Sequence, residues 1–217
     1  YRSLVSIEKN LVRALNSSGD CNIDVNCPLG NGWDSEIRSV AMIVVGGSGI
    51  CTGALVNNTC NDGSTYFLTA NHCLDATGGN TSSWAFRFNW ESPPGTESCA
   101  TTTGSVDPGP PYDQTANGAT ILANSTASDF ALLEINNMTL TNAQNWNCYY
   151  AGWDASDLTT VTQATGIHHP RGDVKKICRE NNAPYHSSNG FPTAATWYIS
   201  QWEQGVTEPG SSGSPLF

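Results

Sequence analysis

The chain closes on Gly210-Ser211-Ser212-Gly213-Ser214-Pro215-Leu216-Phe217. A serine set between glycines and a proline, in a tight turn, presents its hydroxyl and the backbone N–H groups on one side. That arrangement suits a nucleophile beside an oxyanion hole. A serine hydroxyl is a poor nucleophile at neutral pH and needs a base to take its proton. Histidine titrates in the right range, and a carboxylate must fix its tautomer and stabilise its charged form. Charge developing on the attacked oxygen needs N–H donors already in place. Each part has a candidate: Ser212 as nucleophile, His72 as base, Asp129 as orienting carboxylate, and the N–H groups of Gly210 and Ser212 as oxyanion donors. Together they imply cleavage of a peptide bond by an activated serine. Taken singly, each has a blander reading. The Gly/Ser terminus could be a tail, His72 a surface histidine, and Asp129 a turn residue opening a strand.

These side chains need elements to carry them. His72 follows the apolar segment Tyr66–Ala70, and Asp129 precedes Phe130-Ala131-Leu132-Leu133. An aspartate at the mouth of a buried strand costs desolvation unless hydrogen-bonded, and an imidazole N–H would supply the bond. Val40–Val45 is a β-rich apolar run, followed by the turn Gly46-Gly47-Ser48-Gly49 and by Cys51–Val56. Further strands are expected over Trp84–Trp90, Thr120–Ala123, Phe130–Ile135, Val161–Ile167 and Thr196–Trp202. The Pro/Gly-rich stretch Thr101–Gln114 reads as a surface loop. Short strands between Gly/Asn/Asp turns predict an all-β barrel or sandwich. The apolar spacing of Leu4, Ile7, Leu11 and Leu15 predicts a short amphipathic helix within residues 3–15. It is either an extension left from a prosegment or a core helix.

The length of 217 residues fits one large all-β domain or two small barrels sharing a cleft. Only 13% of residues are charged, as is common in β-rich extracellular proteins. No apolar run is long enough to span a bilayer, so no membrane partner is expected. The net charge of −10, with nine Lys and Arg, leaves no basic face for nucleic acid. The eight cysteines lack the paired short spacings of a zinc site and favour disulfides in an oxidising, extracytoplasmic setting. His168 and His169 are adjacent and point apart on a strand, which predicts a structural role and no metal. No cofactor is required by the chemistry.

The chain order His, Asp, Ser is that of chymotrypsin, distinct from subtilisin and the α/β-hydrolases. The segments beginning Cys51-Thr52-Gly53-Ala54-Leu55-Val56, Tyr66-Phe67-Leu68-Thr69-Ala70-Asn71-His72-Cys73 and Thr126-Ala127-Ser128-Asp129-Phe130 resemble the bacterial lysyl endopeptidases. So do Ala151-Gly152-Trp153-Asp154, Gly166-Ile167-His168-His169-Pro170 and Gly205-Val206-Thr207-Glu208-Pro209-Gly210-Ser211-Ser212-Gly213-Ser214-Pro215. The resemblance runs from about Cys21 to Phe217. It implies a secreted protease, made as a zymogen, that forms an acyl-enzyme and cuts after lysine. It also implies the chymotrypsin-like fold of two six-stranded antiparallel β-barrels. The first barrel would span about 21–124 and the second about 125–217, after an extension over 1–20. The triad falls on His72, Asp129 and Ser212. Disulfides Cys27–Cys99 and Cys51–Cys73 follow from the same resemblance, with Cys21 pairing beyond Phe217. The Cys51–Cys73 bridge would anchor the turn that carries His72.

The chain departs from its relatives in several places. Trypsin-type enzymes carry an aspartate just before the nucleophile to capture the freed N-terminus, and Ser211 stands there instead. Val206 occupies the place of trypsin's specificity aspartate. The strands that follow the nucleophile in the family are missing, so a companion chain or segment is expected to complete the second barrel. Near Tyr185–Phe191 there is no clear counterpart of the tryptophan that walls the family's lysine site. Cys148 is placed either to pair just past the nucleophile or to bridge to Cys178. The chain has three lysines (Lys9, Lys175 and Lys176), few self-cleavage sites for a lysine-directed protease. Two other readings stand beside this one. They are an endopeptidase of different preference, such as for glutamate, and a non-catalytic binding module on a protease fold.

Overall fold

The computed structural model of the chain describes residues 17–92, 114–155, 160–187 and 196–217. The expected helix within 3–15 lies outside them, and so does the expected loop over 101–114 except for Gln114. In chain order the strands are β1 (Ile23–Asp24), β2 (Val40–Val45), β3 (Gly49–Leu55), β4 (Tyr66–Ala70), β5 (Ala85–Phe88) and β6 (Thr115–Asn117). They continue as β7 (Ala119–Ser125), β8 (Phe130–Ile135), β9 (Ala164–His168), β10 (Lys176–Glu180), β11 (Tyr185–Ser187) and β12 (Thr196–Tyr198). Among the described residues three short α-helices intervene: α1 (Asp34–Ser39), α2 (His72–Asp75) and α3 (Leu140–Asn145).

Seven strands form one antiparallel sheet in the order β6-β5-β2-β3-β4-β8-β7. Its two edge strands are consecutive in sequence and separated only by Gly118, whose φ is +73°. A side chain is strained in that left-handed conformation, so glycine is the residue that lets the strand turn there. β6 pairs with β5 on one side of the bend and β7 with β8 on the other. Counted as one bent strand, β6–β7 joins the two edges, and six strands close on themselves. Closure leaves no open edge in this sheet.

The barrel interior is filled from alternate positions. Ile43, Leu55, Phe67, Phe86 and Leu133 are fully buried there, with Phe67 and Phe86 edge to face at 5.1 Å. β8 shows the period-2 pattern of a strand with one solvated face: Ala131, Leu133 and Ile135 are buried and Phe130 and Glu134 exposed. β2 reads instead as an unbroken apolar run because both its faces are covered. Ala41, Ile43 and Val45 point into the barrel, while Val40 and Met42 join two clusters outside it.

Outside that face lies a smaller antiparallel sheet in the order β1-β10-β9. Val25, Ile167 and Ile177 from this region pack on Val40 of β2 and Ala54 of β3. The rest of its interior is polar. The Lys175 ammonium is fully buried, 2.6 Å from Glu91 Oε1 and 2.6 Å from the Ile37 carbonyl. Lys176 lies 3.4 Å from Asp24 Oδ2 and 3.9 Å from Asp173 Oδ2. β11 and β12 form a separate two-stranded ribbon. The end of the chain returns to the small sheet, where Thr165 and Phe217 exchange hydrogen bonds of 2.7 and 2.9 Å. β8 belongs to the closed sheet, so that sheet runs on past residue 124 to Ile135, while β1 near the start of the chain belongs to the small one.

Candidate active site

β4 ends at Ala70, and the chain turns at Asn71 into α2, whose first residue is His72. The neighbouring strand β8 begins directly after Asp129 and pairs with β4, Ala70 opposite Phe130. Adjacent strand ends therefore bring His72 and Asp129 together across the sheet. Asp129 is held in a left-handed conformation, with φ at +53°. Its carboxylate takes two bonds from one residue: Oδ1 from the His72 N–H at 2.8 Å, and Oδ2 from the imidazole Nδ1 at 2.7 Å. A carboxylate oxygen only accepts, so Nδ1 carries the proton and Nε2 keeps its lone pair. The Asn71 N–H donates to the Asp129 carbonyl at 3.1 Å, and Asn124 Nδ2 to Asn71 Oδ1 at 2.7 Å. Both faces of the turn are thereby fastened.

The bridge Cys51–Cys73 ties β3 to the residue after His72. Closing a loop with a separation of 22 residues contributes about 3 kcal/mol in the chain-entropy model. Cys27 is also disulfide-bonded, and its expected partner Cys99 lies outside the described residues. Cys148 and Cys178 are both free thiols, so neither pairing considered for them is formed within the described residues. Burial pushes each of these thiols up to about 12, which removes them as nucleophiles at neutral pH.

The 210–214 turn lies over the ends of β3 and β4. A Cβ on Gly213 would stand 2.2 Å from Thr69 Oγ1, 2.4 Å from the Thr52 carbonyl and 2.7 Å from the Ala70 N. Only glycine fits so close to the strands, and its φ of +83° demands glycine as well. Gly213, next to Ser212, thus packs against the end of β4 that leads to His72, but no hydrogen bond joins Ser212 to His72 among the described residues. The Ser212 carbonyl accepts from the Thr52 N–H at 2.8 Å. The Thr52 hydroxyl donates to the Gly210 carbonyl at 2.8 Å and accepts from the His169 N–H at 3.0 Å. The Ser211 N–H donates to Glu208 and the Ser214 N–H to Ser211. Among the described residues, the N–H groups of Gly210 and Ser212 have no acceptor.

Several residues at this site carried no individual role in the sequence reading. Thr52 lies inside the quoted Cys51-Thr52-Gly53 segment, but a side chain that serves two partners leaves no periodic mark. His168 and His169 were read as structural, and both are fully buried: His168 Nδ1 lies 2.8 Å from Ser211 Oγ and His169 Nδ1 3.0 Å from the Asp173 carbonyl. Desolvation, with a contribution from Lys176, lowers His168 to about 3. Desolvation and then Lys175 push His169 well below its ordinary range. Among the described residues no group of His, Cys, Asp and Glu could hold a metal ion.

Comparison with known proteins gives this arrangement a context. The profile of the family described as "Lysyl endopeptidase, C-terminal domain" matches residues 15–217. The lysyl endopeptidase of Pseudomonas aeruginosa is 32% identical over 209 residues, covering 92% of this chain and 42% of that protein. The chain thus spans less than half the length of the curated relative it matches. Among solved structures, the HtrA-type protease AlgW in complex with a tripeptide aligns with a TM-score of 0.57 at 14% identity, over 88% of this chain and 50% of that one. Deg5 aligns with a TM-score of 0.53 at 14% identity, over 87% and 78%. The thermostable serine protease AL20, from an extremophilic microorganism, aligns with a TM-score of 0.50 at 15% identity, over 84% and 79%. At such identities the likeness to these structures is one of fold: chymotrypsin-like, mostly β, built from curled antiparallel sheets.

Proposed function

Since this chain belongs to the lysyl endopeptidase family, we propose that it is a serine endopeptidase that cleaves peptide bonds after lysine through an acyl-enzyme. Ser212 attacks the scissile carbonyl, and His72 Nε2 takes its proton and later gives it to the leaving amine. Asp129 holds the imidazole in the tautomer that leaves Nε2 unprotonated, and stabilises the imidazolium that forms. The N–H groups of Gly210 and Ser212 receive the oxyanion. The observation that carries this reading is the 2.7 Å contact of His72 Nδ1 with Asp129 Oδ2, with the Ser212 turn seated on the same strand ends.

Polypeptides are the proposed substrates. The lysine preference rests on family membership and on the name of the Pseudomonas relative. A companion segment completing the second barrel belongs to the proposal, supported by Leu216 and Phe217, which already form the first rungs of a strand on β9. Secretion is proposed from the disulfides and from the family. No helix among the described residues is long and apolar enough to cross a membrane.

A serine-directed fluorophosphonate tests the chemistry in the full-length protein. The probe should label Ser212, and Ser212→Ala should abolish both labelling and turnover. A wild-type protein that stays unlabelled is a binding module on a protease fold. Digestion of a peptide library separates the specificities: cuts confined to the carboxyl side of lysine support the preference, and cuts after glutamate remove it.

A further inference from the structure

Ser211 occupies the position at which trypsin-type enzymes bury an aspartate against a freed amino terminus. In this chain that position is satisfied from within. Ser211 is 4% exposed, and its hydroxyl oxygen accepts from the Glu208 N–H at 3.2 Å and lies 2.8 Å from His168 Nδ1. His168 ends β9, with no exposed surface. Its other ring nitrogen is buried without a partner among the described residues. In either tautomer the neutral imidazole and the Ser211 hydroxyl share one hydrogen bond through Nδ1, one donating and the other accepting. The residues on either side of Ser211 are the two that offer their N–H groups to an oxyanion.

We infer that His168 is a positioning residue for the oxyanion turn: through its hydrogen bond with Ser211 it holds the Gly210 and Ser212 amides in register, the task that a charged amino terminus performs in trypsin-type enzymes. Three features favour it. The fixed end of the contact is a sheet strand, so the turn is referenced to β9 and not to a loop. The contact joins two neutral groups, which spares the interior an unpaired charge when one partner moves. Burial keeps His168 uncharged across the neutral range, so the contact does not switch there. Thr52 fastens the Gly210 and Ser212 carbonyls from the opposite side. The turn is thus gripped between the two sheets.

The inference deepens the protease reading and rests on it. Three variants of the full-length protein test it: His168→Phe, His168→Asn and Ser211→Ala. Asparagine keeps a hydrogen-bonding group near the place of Nδ1, whereas phenylalanine fills the space without one. His168→Phe should lower kcat by roughly tenfold to a hundredfold, the scale on which small misplacements of reacting groups act. KM should hold steady. Affinity for a peptidyl boronate, which forms a tetrahedral adduct in the oxyanion hole, should fall in step with kcat/KM. His168→Asn should recover most of the loss. Ser211→Ala should reproduce it, and the double variant with His168→Phe should be no worse than either single one.

A folded His168→Phe with unchanged kcat and boronate affinity overturns the inference, as does a loss confined to KM. Should His168→Phe fail to fold, Ser211→Ala decides alone by the same two readouts. The wild type keeps the two levels apart. If it takes no fluorophosphonate at Ser212, the protease reading fails. If it is labelled and active while the variants match it, only the role of His168 fails.

Discussion

The closed barrel and the small sheet beside it are held together by different chemistry. In the barrel, Ile43, Leu55, Phe67, Phe86 and Leu133 fill a continuous apolar interior, and the bend at Gly118 leaves no open edge. In the small sheet region, Val25, Ile167 and Ile177 share the interior with Lys175, Lys176, Asp24, Asp173, His168 and His169. The barrel supplies His72 and Asp129 from adjacent strand ends, and its packing fixes their spacing. The Ser212 turn is set instead by hydrogen bonds: Thr52 on the barrel side, His168 through Ser211 on the other. Apolar packing is indifferent to proton concentration, whereas a buried polar network is not. The His72–Asp129 pair and the Ser212 turn therefore rest on supports that fail under different conditions.

The largest expected effect lies where the barrel contributes chemistry alone. Asp129→Asn keeps the shape of the turn but no longer favours the required tautomer. On the scale seen for such triads, kcat should fall about ten-thousandfold. The thermal midpoint should hardly move. A collapse of stability instead would mean that Asp129 is part of the barrel's scaffold.

Next comes the barrel's own packing. Phe67 is fully buried against Phe86 and Phe88. Phe67→Ala should cost about 3–5 kcal/mol in urea unfolding, with the loss unchanged between pH 7 and pH 5. A strongly pH-dependent loss would erase the distinction between the two regions.

The smallest effect sharpens the comparison. The folded pKa of His168 is depressed to about 3, below the ordinary histidine value near 6.5. Between those values the unfolded chain binds a proton that the folded chain refuses, so stability falls as pH falls through that window. The slope for this one group is about 1.4 kcal/mol per pH unit. His169, also depressed by burial, acts in the same direction. Urea midpoints measured from pH 6.5 to pH 4.5 should therefore drop more steeply for the wild type than for His168→Asn. Parallel profiles would mean that His168 takes up its proton alike in the folded and unfolded chain, and would remove it as a source of acid sensitivity.

The same contrast explains how much could be read from the amino acids. β2, β4 and β8 fall on the predicted bounds because barrel strands obey simple apolar patterning. β10 went unpredicted: Lys176, Arg179 and Glu180 look like surface residues, yet Lys176 is buried beside Asp24 and Asp173 and Glu180 takes hydrogen bonds from Asn182. The expected strand over 161–167 begins later, at Ala164, and the one over 196–202 stops at Tyr198. The Gly118 bend, which turns seven assigned strands into a closed set of six, is one glycine among many in the sequence. At the candidate site, His72, Asp129 and Ser212 could be nominated from their flanking residues. The His168–Ser211 contact could not, since 43 residues separate the pair and neither sits in a patterned stretch.

The burial of Lys175 and Lys176 bears on the protein's own survival. If the proposed preference for lysine holds, each lysine in the sequence is a place where one copy could destroy another. Both of these are sealed inside the folded chain and tied to carboxylates, so an intact copy withholds them from a neighbour's cleft. Unfolding releases them. In a population of such molecules these two sites would open to cleavage only in the damaged members, a form of quality control that needs no second enzyme.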